Sequence, residues 1–236
     1  MRPPSPPRPP LAFPTLDSLA SFLATRLPST ALSSWGTAPG TKTLLNLFLE
    51  LSHGESILLT TSSAAAVVRA VHVATIRIRN GRGAQLMETG QLLSDGTIRS
   101  RGGPRPLSEK MLPGETIEAA AARAVREELG ERVRVRILGG GEEEARVEER
   151  ESASYPGLHA RYVLHAVDAE VVDGVPEEGE FETEEGGEHE DEVVVEGARP
   201  AVTVKRHFWK WVDEYAAGEV AGGGDGEEEG ERQSAQ

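Results

Sequence analysis

Hydrophobic residues recur at helical spacing over the first part of the chain. Between residues 15 and 55 they lie three or four positions apart, which places them on one face of a helix. One helix is predicted over 16–27, since Pro28 ends the run. A second is predicted to begin at the capping residue Thr41 and to close at Gly54. Residues 15–55 therefore predict a small α-helical N-terminal region.

From residue 56 onward the hydrophobic spacing changes to that of β-strands. The run 67–79 is rich in β-branched residues and is long enough for a central strand. Asp95-Gly96 is a strong hairpin signal between two further strands. The strands predicted around this pair and along the rest of the chain are 57–59, 84–93, 97–101, 132–138, 158–172, 193–195 and 201–204. The last predicted element is a helix over 206–216, which closes the domain.

Three segments lack a pattern that builds a core. Residues 1–14 are proline-rich and predict an extended leader. Residues 176–192 predict a flexible acidic insert that only Phe181 anchors, and 218–236 predict a disordered acidic tail. The folded domain is therefore expected over 56–217.

The charge of the chain lies mostly in those segments. The net charge is -14, but residues 177–192 hold ten acids and residues 219–236 hold six, so the remainder is close to neutral. This argues against broad nucleic-acid binding. Cysteine is absent, which excludes thiolate metal sites and cysteine nucleophiles. No apolar run approaches the ~20 residues that span a bilayer, so a soluble protein is expected. A cytoplasmic location is predicted; the leader, with two arginines and no acid, also fits a mitochondrial or plastid transit peptide.

The segment 109–130 is the one stretch whose spacing suggests chemistry. A turn leads into an alanine-rich helical run that Gly130 ends. Near the end of that helix lie two adjacent carboxylates, Glu127 and Glu128, and Arg123 stands one turn before Glu127, at the spacing for an ion pair. Adjacent carboxylates beside a loop suit a hard cation such as Mg²⁺.

This segment resembles the Nudix box. The box reads Gly, five residues, Glu, seven residues, Arg-Glu, an aliphatic residue, any residue, Glu-Glu, any residue and Gly. The positions that match are Glu115, Arg123, Val125, Glu127, Glu128 and Gly130. Two positions depart from it: Glu109 stands where the box opens with Gly, and Ala124 stands where the Glu after Arg belongs.

The resemblance implies a fold and an activity. The fold class is α+β, a Nudix-type α/β/α sandwich with a mixed sheet, preceded here by the helical N-terminal region. The activity is hydrolysis of a diphosphate linkage in a small nucleoside diphosphate derivative, with Mg²⁺ or Mn²⁺ as cofactor. The implied metal ligands are Glu115, Glu127 and Glu128, and the implied catalytic residues are Glu127, Glu128 and Arg123, which orients Glu127. A homodimer is a further possibility.

A basic stretch precedes the box. It holds four cations, Arg99, Arg101, Arg105 and Lys110, and it has no acid before Glu109. Arg101 and Arg105 are the favoured substrate-binding pair. Arginine offers two parallel hydrogen bonds to phosphate oxygens. The alternative interpretation is a solvated basic loop.

Three interpretations of this helix stay open because Ala124 departs from the box. On a continuous helix residues 124, 127 and 128 share one face, and the box has Glu at all three. With Ala124 the chain has either altered or weak hydrolase activity, or it is a catalytically impaired Nudix-fold module that binds a nucleotide or a partner. In a third interpretation the helix is purely structural.

Overall fold

The computed structural model describes residues 11–60, 66–100, 102–140, 145–186 and 195–213. Most of the predicted leader, the predicted tail and Arg101 lie outside these residues. Within the described ranges, no helix has the length and apolar character needed to cross a membrane.

A ten-stranded mixed sheet forms the centre of the described chain. The strands are β1 Ile57–Thr60, β2 Val67–Arg79, β3 Gln85–Leu93, β4 Ile98–Arg99, β5 Leu107–Lys110, β6 Arg134–Gly140, β7 Arg146–Glu151, β8 His159–Asp173, β9 Glu180–Glu184 and β10 Val204–Val212. The main path of the sheet runs β6-β8-β2-β3-β10-β9, with β1 and β5 also paired to β2, β4 to β3 and β7 to β8. The pairing of β2 with β8 is parallel and the other pairings are antiparallel.

In the ranges that the structure describes, four α-helices and one π-helical turn accompany the sheet. They are α1 Leu16–Ala24, α2 Ala31–Ser34, α3 Leu44–Ser52 and α4 Ile117–Ala124, with the π turn Val125–Leu129 directly after α4. Helix α1 begins with a capping box at Thr15, and α3 begins with one at Thr43 rather than at the predicted Thr41. The Thr41 hydroxyl instead accepts a hydrogen bond from the Gly36 amide within the preceding loop.

Two apolar clusters lie on opposite faces of the sheet, because successive side chains of a strand point to opposite sides. Ala74, Ile76 and Ile78 of β2 face the cluster that includes α4. Val67 is on the other face and packs with α1 and α3. The mixed sheet between helices confirms the predicted α+β sandwich, and the N-terminal helices are packed on it.

The predicted C-terminal helix over 206–216 is wrong where the structure describes it. Residues 204–212 form β10, which lies between β3 and β9. His207, Trp209 and Trp211 alternate inward at the period of a strand and are all buried. The prediction followed Phe208, Trp211 and Val212 at helical spacing, but pairing on both edges of β10 outweighs that local pattern.

The flexible insert predicted over 176–192 is also wrong for its described part. Residues 180–184 form the edge strand β9. Its glutamates alternate outward, while Phe181 packs against the core as predicted. Arg206 of β10 pairs with Glu182 at 3.0 Å, which offsets the charge of this strand. No element was predicted for the acid-rich residues before Tyr155. Residues 146–151 of that stretch form β7.

Candidate active site

The box helix ends in a π turn that directs its two neighbouring glutamates to different places. Thr116 caps α4 through the amide of Ala119. The π turn then runs to Gly130, whose φ of 103° is one that other residues rarely adopt. Glu127 is half-buried at the surface, whereas Glu128 is buried beneath the turn. π turns inside helices occur frequently at functional sites.

Arg123 is the centre of the exposed half of the site. Its Nη1 donates to Glu109 Oε1 at 3.0 Å and to Glu127 Oε2 at 3.2 Å. Its Nε and Nη2 donate to the two oxygens of Glu115, each at 3.0 Å, and Nη2 also bonds the carbonyl of Lys110 at 2.8 Å. The hydrogen bond from Arg123 lowers the pKa of Glu115. Arg123 therefore holds three carboxylates in fixed positions.

Glu128 contacts a second group of residues that lies on the sheet. His207 Nδ1 of β10 is 2.7 Å from Glu88 Oε1 of β3 and 3.2 Å from Glu128 Oε2. His207 Nε2 is 2.6 Å from Glu185 Oε2. Glu88, Glu128 and His207 are almost fully buried, and their ligand atoms all lie within 4.8 Å of one another. These three residues are called the buried cluster below.

The buried cluster carries a positive imidazolium among carboxylates. Burial alone lowers the pKa of His207, but its hydrogen bonds to Glu185 and Glu88 raise that pKa to about 10. Burial favours the neutral acid of Glu88, yet His207 and Arg105 hold its pKa at about 2. Burial raises the pKa of Glu128 well above its usual value, and the charge of Glu88 adds to this. Of the two carboxyl groups in the cluster, Glu128 is thus the one that more readily keeps a proton.

Ala124 does not share the environment of the two glutamates. It is fully buried in the apolar cluster, together with Ala120 and Ala121. Glu127 points to Arg123, and Glu128 points to the buried cluster. The expectation that residues 124, 127 and 128 form one ligand face is therefore wrong, because the π turn changes the direction of the helix end.

A cleft of about 850 Å³ lies beside the exposed half of the site. Glu109, Arg123 and Glu127 line it on the side of the box, and Glu185 lines it on the side of β9. Since Glu185 also bonds His207, it connects the cleft with the buried cluster. The opposite wall comes from α3 and its neighbours, including Lys42, Asn46 and Glu50.

The predicted arginine pair has different surroundings. Arg101 lies outside the described residues. Arg105 is present, and its Nε donates to Glu88 Oε2 at 2.7 Å, with Nη2 on the same oxygen. This arginine therefore supports a member of the buried cluster and is already paired.

The structure brings some predicted site residues together and separates others. Arg123, Glu115 and Glu127 form one network, while Glu128 stands apart from Glu115 and Glu127 in the buried cluster. Sequence reasoning missed Glu88, His207, Glu185 and Lys42. Their only signal in the sequence was residue type, because each is brought in by strand pairing or by helix packing from far along the chain.

Comparison with known proteins adds a weak resemblance. No known family's sequence profile and no curated protein matches the chain. Among solved structures, a Nudix hydrolase from Nitrosomonas europaea is 17% identical, with 64% of this chain and 78% of that chain covered and a TM-score of 0.33. A protein from Deinococcus radiodurans is 16% identical, with 65% and 74% covered and a TM-score of 0.28. The chain therefore has only a weak structural resemblance to Nudix hydrolases.

The buried cluster has a donor set that suits a divalent metal. Two carboxylates and one imidazole converge from three elements, and ligand atoms at this separation can share one ion. His207 would have to release the proton on Nδ1 to ligate that ion, because only the neutral imidazole is a metal ligand. The imidazole favours a cation such as Mn²⁺ over Mg²⁺, which prefers oxygen ligands alone. Glu115 lies outside this cluster, where both of its oxygens accept hydrogen bonds from Arg123 and one also accepts from the Leu112 amide.

Proposed function

We propose that this chain is a metal-dependent hydrolase of Nudix type that cleaves a diphosphate linkage in a nucleotide-like substrate. The observation that carries the proposal is the meeting of Glu128, at the end of the box helix, with Glu88 and His207 beside an open cleft. Three buried titratable groups that converge beside a cleft mark a candidate functional site.

Three residues would hold the cation in this proposal. Glu88, Glu128 and His207 supply the ligand atoms, and Arg105 and Glu185 fix Glu88 and His207 from outside. When bound, a divalent cation polarises phosphoryl oxygens and activates water. The site needs no ligand at position 124, which accounts for the alanine there.

Glu127 has the position of a proton acceptor. It lines the cleft, and Arg123 donates to its Oε2. Its Oε1 lies 3.8 Å from Arg126 Nη2, which is beyond hydrogen-bond distance and leaves this oxygen able to accept from water or substrate. Glu115 serves to fix Arg123 and the Leu112 amide of the box loop. Arg123 is therefore a positioning residue, and Glu115 acts through it.

The proposal predicts a metal-dependent release of monophosphate that two glutamine variants reduce. Nucleotide sugars, dinucleotides and nucleoside triphosphates are incubated with the chain and Mn²⁺ or Mg²⁺. Glu127→Gln and Glu128→Gln are each expected to lower kcat by about 100-fold or more, since the first removes the proton acceptor and the second removes a metal ligand. Glu180→Gln, on the exposed edge strand, is the matched control and keeps full activity. Turnover that is equal in wild type and Glu128→Gln would refute the assignment.

A catalytically impaired binding module is the second candidate. It is favoured by Arg123, which already engages Glu115 and Glu127, and by the apolar surroundings of Ala124. Calorimetry that detects nucleotide binding, with no turnover for any substrate in the panel, would select this candidate over the hydrolase.

A further inference from the structure

Four cations gather around one buried carboxylate at the far wall of the cleft. Glu50 of α3 is only 5% exposed. Its Oε1 accepts from Lys42 Nζ at 3.0 Å and lies 3.1 Å from Lys110 Nζ, while its Oε2 accepts from Arg69 Nη2 at 2.6 Å. Arg99, the fourth cation, is close enough for its charge to act on Lys42.

These cations outnumber the acids beside them. Lys110 has a second partner in Glu55, so four positive charges face two carboxylates. Glu109 also acts on Lys110, but it is already paired with Arg123. Lys42 and Lys110 line the cleft, whereas Arg69 and Arg99 do not line it. The excess of positive charge therefore belongs to this wall together with the residues behind it, in contrast to the acidic side of Glu127 and Glu185.

Glu50 has more cationic partners than it has oxygens. Arg69 and Lys110 each lie within ion-pair distance of one of its oxygens. Lys42 adds a further charge at a cost, because burial and the charges of Lys110 and Arg99 lower the pKa of Lys42 to about 8, against the pull of Glu50. An anion in the cleft would remove the cost.

Two buried polar atoms in this region have no hydrogen-bond partner among the residues that the structure describes. Thr203 Oγ1 is a buried hydroxyl oxygen with none, and Thr203 lines the cleft. Arg99 Nη1 is likewise buried without a partner, although the Nε and Nη2 of this arginine reach Gln91. Unsatisfied buried donors are uncommon and indicate a missing partner.

We propose that Lys42 and Lys110 bind a phosphoryl group of the substrate, so that the N-terminal helical region supplies part of the binding site. The inference rests on the proposed function for taking the cleft as the substrate site. One phosphoryl group lies at the lysines and the linkage to be cleaved lies toward Glu127. Residues 15–55, for which the sequence indicated no role, then determine which substrates fit.

Binding of methylenediphosphonate, a diphosphate analogue that cannot be hydrolysed at the bridge, tests the inference. Calorimetric titration of the full chain is expected to give about tenfold weaker binding in Lys42→Gln, because one charge-assisted hydrogen bond is lost. The double variant Lys42→Gln/Lys110→Gln is expected to lose measurable binding. Lys210→Gln is the matched control, since this lysine is ion-paired on the exposed surface, and its affinity stays within about twofold.

A second measurement needs no substitution. The acetylation rate of Lys42 in the wild-type chain is followed by peptide mass spectrometry with and without methylenediphosphonate. Protection of Lys42, but not of Lys210, is expected. Equal affinity in wild type and Lys42→Gln, no binding to wild type, or acetylation that the analogue leaves unchanged would overturn the inference.

The two proposals fail in different ways. Binding that depends on Lys42, with no turnover of any substrate, rejects the hydrolase and keeps the phosphoryl site. Metal-dependent turnover with KM and kcat unchanged in Lys42→Gln rejects the phosphoryl site and keeps the hydrolase.

Discussion

At the scale of single residues, two neighbours in sequence have separate tasks in space. Glu127 faces the cleft and Glu128 is buried against His207. The spacing of Arg123 and Glu127 was sufficient to predict their ion pair, because residues four apart in a helix are neighbours. The partners of Glu128 could not be predicted, since Glu88 and His207 lie on strands far from the box in sequence.

The Ala124→Glu variant tests whether position 124 can carry the glutamate that the Nudix box has there. Ala124 is fully buried among apolar side chains, so a carboxylate introduced at this position would have no described partner. We expect Ala124→Glu to lower the free energy of unfolding by about 3–5 kcal/mol and not to increase activity. Ala122→Glu, on the exposed side of the same helix, is expected to change it by no more than about 0.5 kcal/mol. Chemical denaturation measures the free energy of unfolding of both variants. An Ala124→Glu protein that is stable and more active than wild type would contradict the buried, apolar position of Ala124.

The amine of Lys42 gives the anion site a pH dependence. Its pKa of about 8 reflects burial, then the attraction of Glu50 and the repulsion of Lys110 and Arg99. The protonated amine binds the anion, so affinity is fully present below pH 8 and is lost above it. Relative to Lys42→Gln, the wild-type affinity for methylenediphosphonate is expected to fall by about tenfold between pH 7 and pH 9. Methylenediphosphonate changes its own protonation equally in the two binding experiments. A ratio of wild-type to Lys42→Gln affinity that stays constant between pH 7 and pH 9 would therefore show that Lys42 takes no part in binding.

At the scale of elements, the helices and the central strands followed from local patterns, but the last strands did not. The periods of α1, α3, β2 and the β3–β4 hairpin are clear in sequence, and the structure has each of these elements. β10 was predicted as a helix because its aromatic residues also fit a helical spacing. Its strand conformation is imposed by β3 on one edge and β9 on the other, which are long-range contacts.

Asn46 shows how an element of the N-terminal region is attached to the cleft. Its side chain caps α3 at Thr43 and bonds both the N–H and the C=O of Val202. Asn46→Ala would leave buried groups unpaired, so a loss of about 2–3 kcal/mol of unfolding free energy is expected. Ser18 has the same position in α1 but makes only cap hydrogen bonds, and Ser18→Ala is expected to cost less than about 1 kcal/mol. Equal losses in the two variants would show that the Val202 attachment contributes nothing.

At the scale of the whole molecule, the candidate site is assembled from distant parts of the chain. Residues come to the cleft or to the buried cluster from α3, the box helix, β3, β10 and the segment directly after β9. The sequence predicted the sandwich and the box but not the opposing wall, because the packing of α3 across the cleft has no sequence signature.

Metal binding at the buried cluster is expected to stabilise the whole fold. At a Mn²⁺ concentration about 100-fold above Kd the gain is about 2.7 kcal/mol, which raises Tm by roughly 5–10 °C for a chain of this size. Thermal unfolding with Mn²⁺ and then with excess chelator measures this. Glu128→Gln is expected to remove the shift, and Glu180→Gln is expected to keep it. A shift of the same size in Glu128→Gln would locate the ion elsewhere.

The place of β10 in the sheet has a consequence for the order in which this protein matures. β10 is the last described strand, yet it lies between β3 and β9 and carries His207. During synthesis the box helix and β3 leave the ribosome well before their partner, so contacts of high sequence separation must close last, and such contacts slow folding. Glu88 and Glu128 therefore meet no imidazole until residues 204–212 have been synthesised, and the buried cluster is incomplete until that strand is inserted.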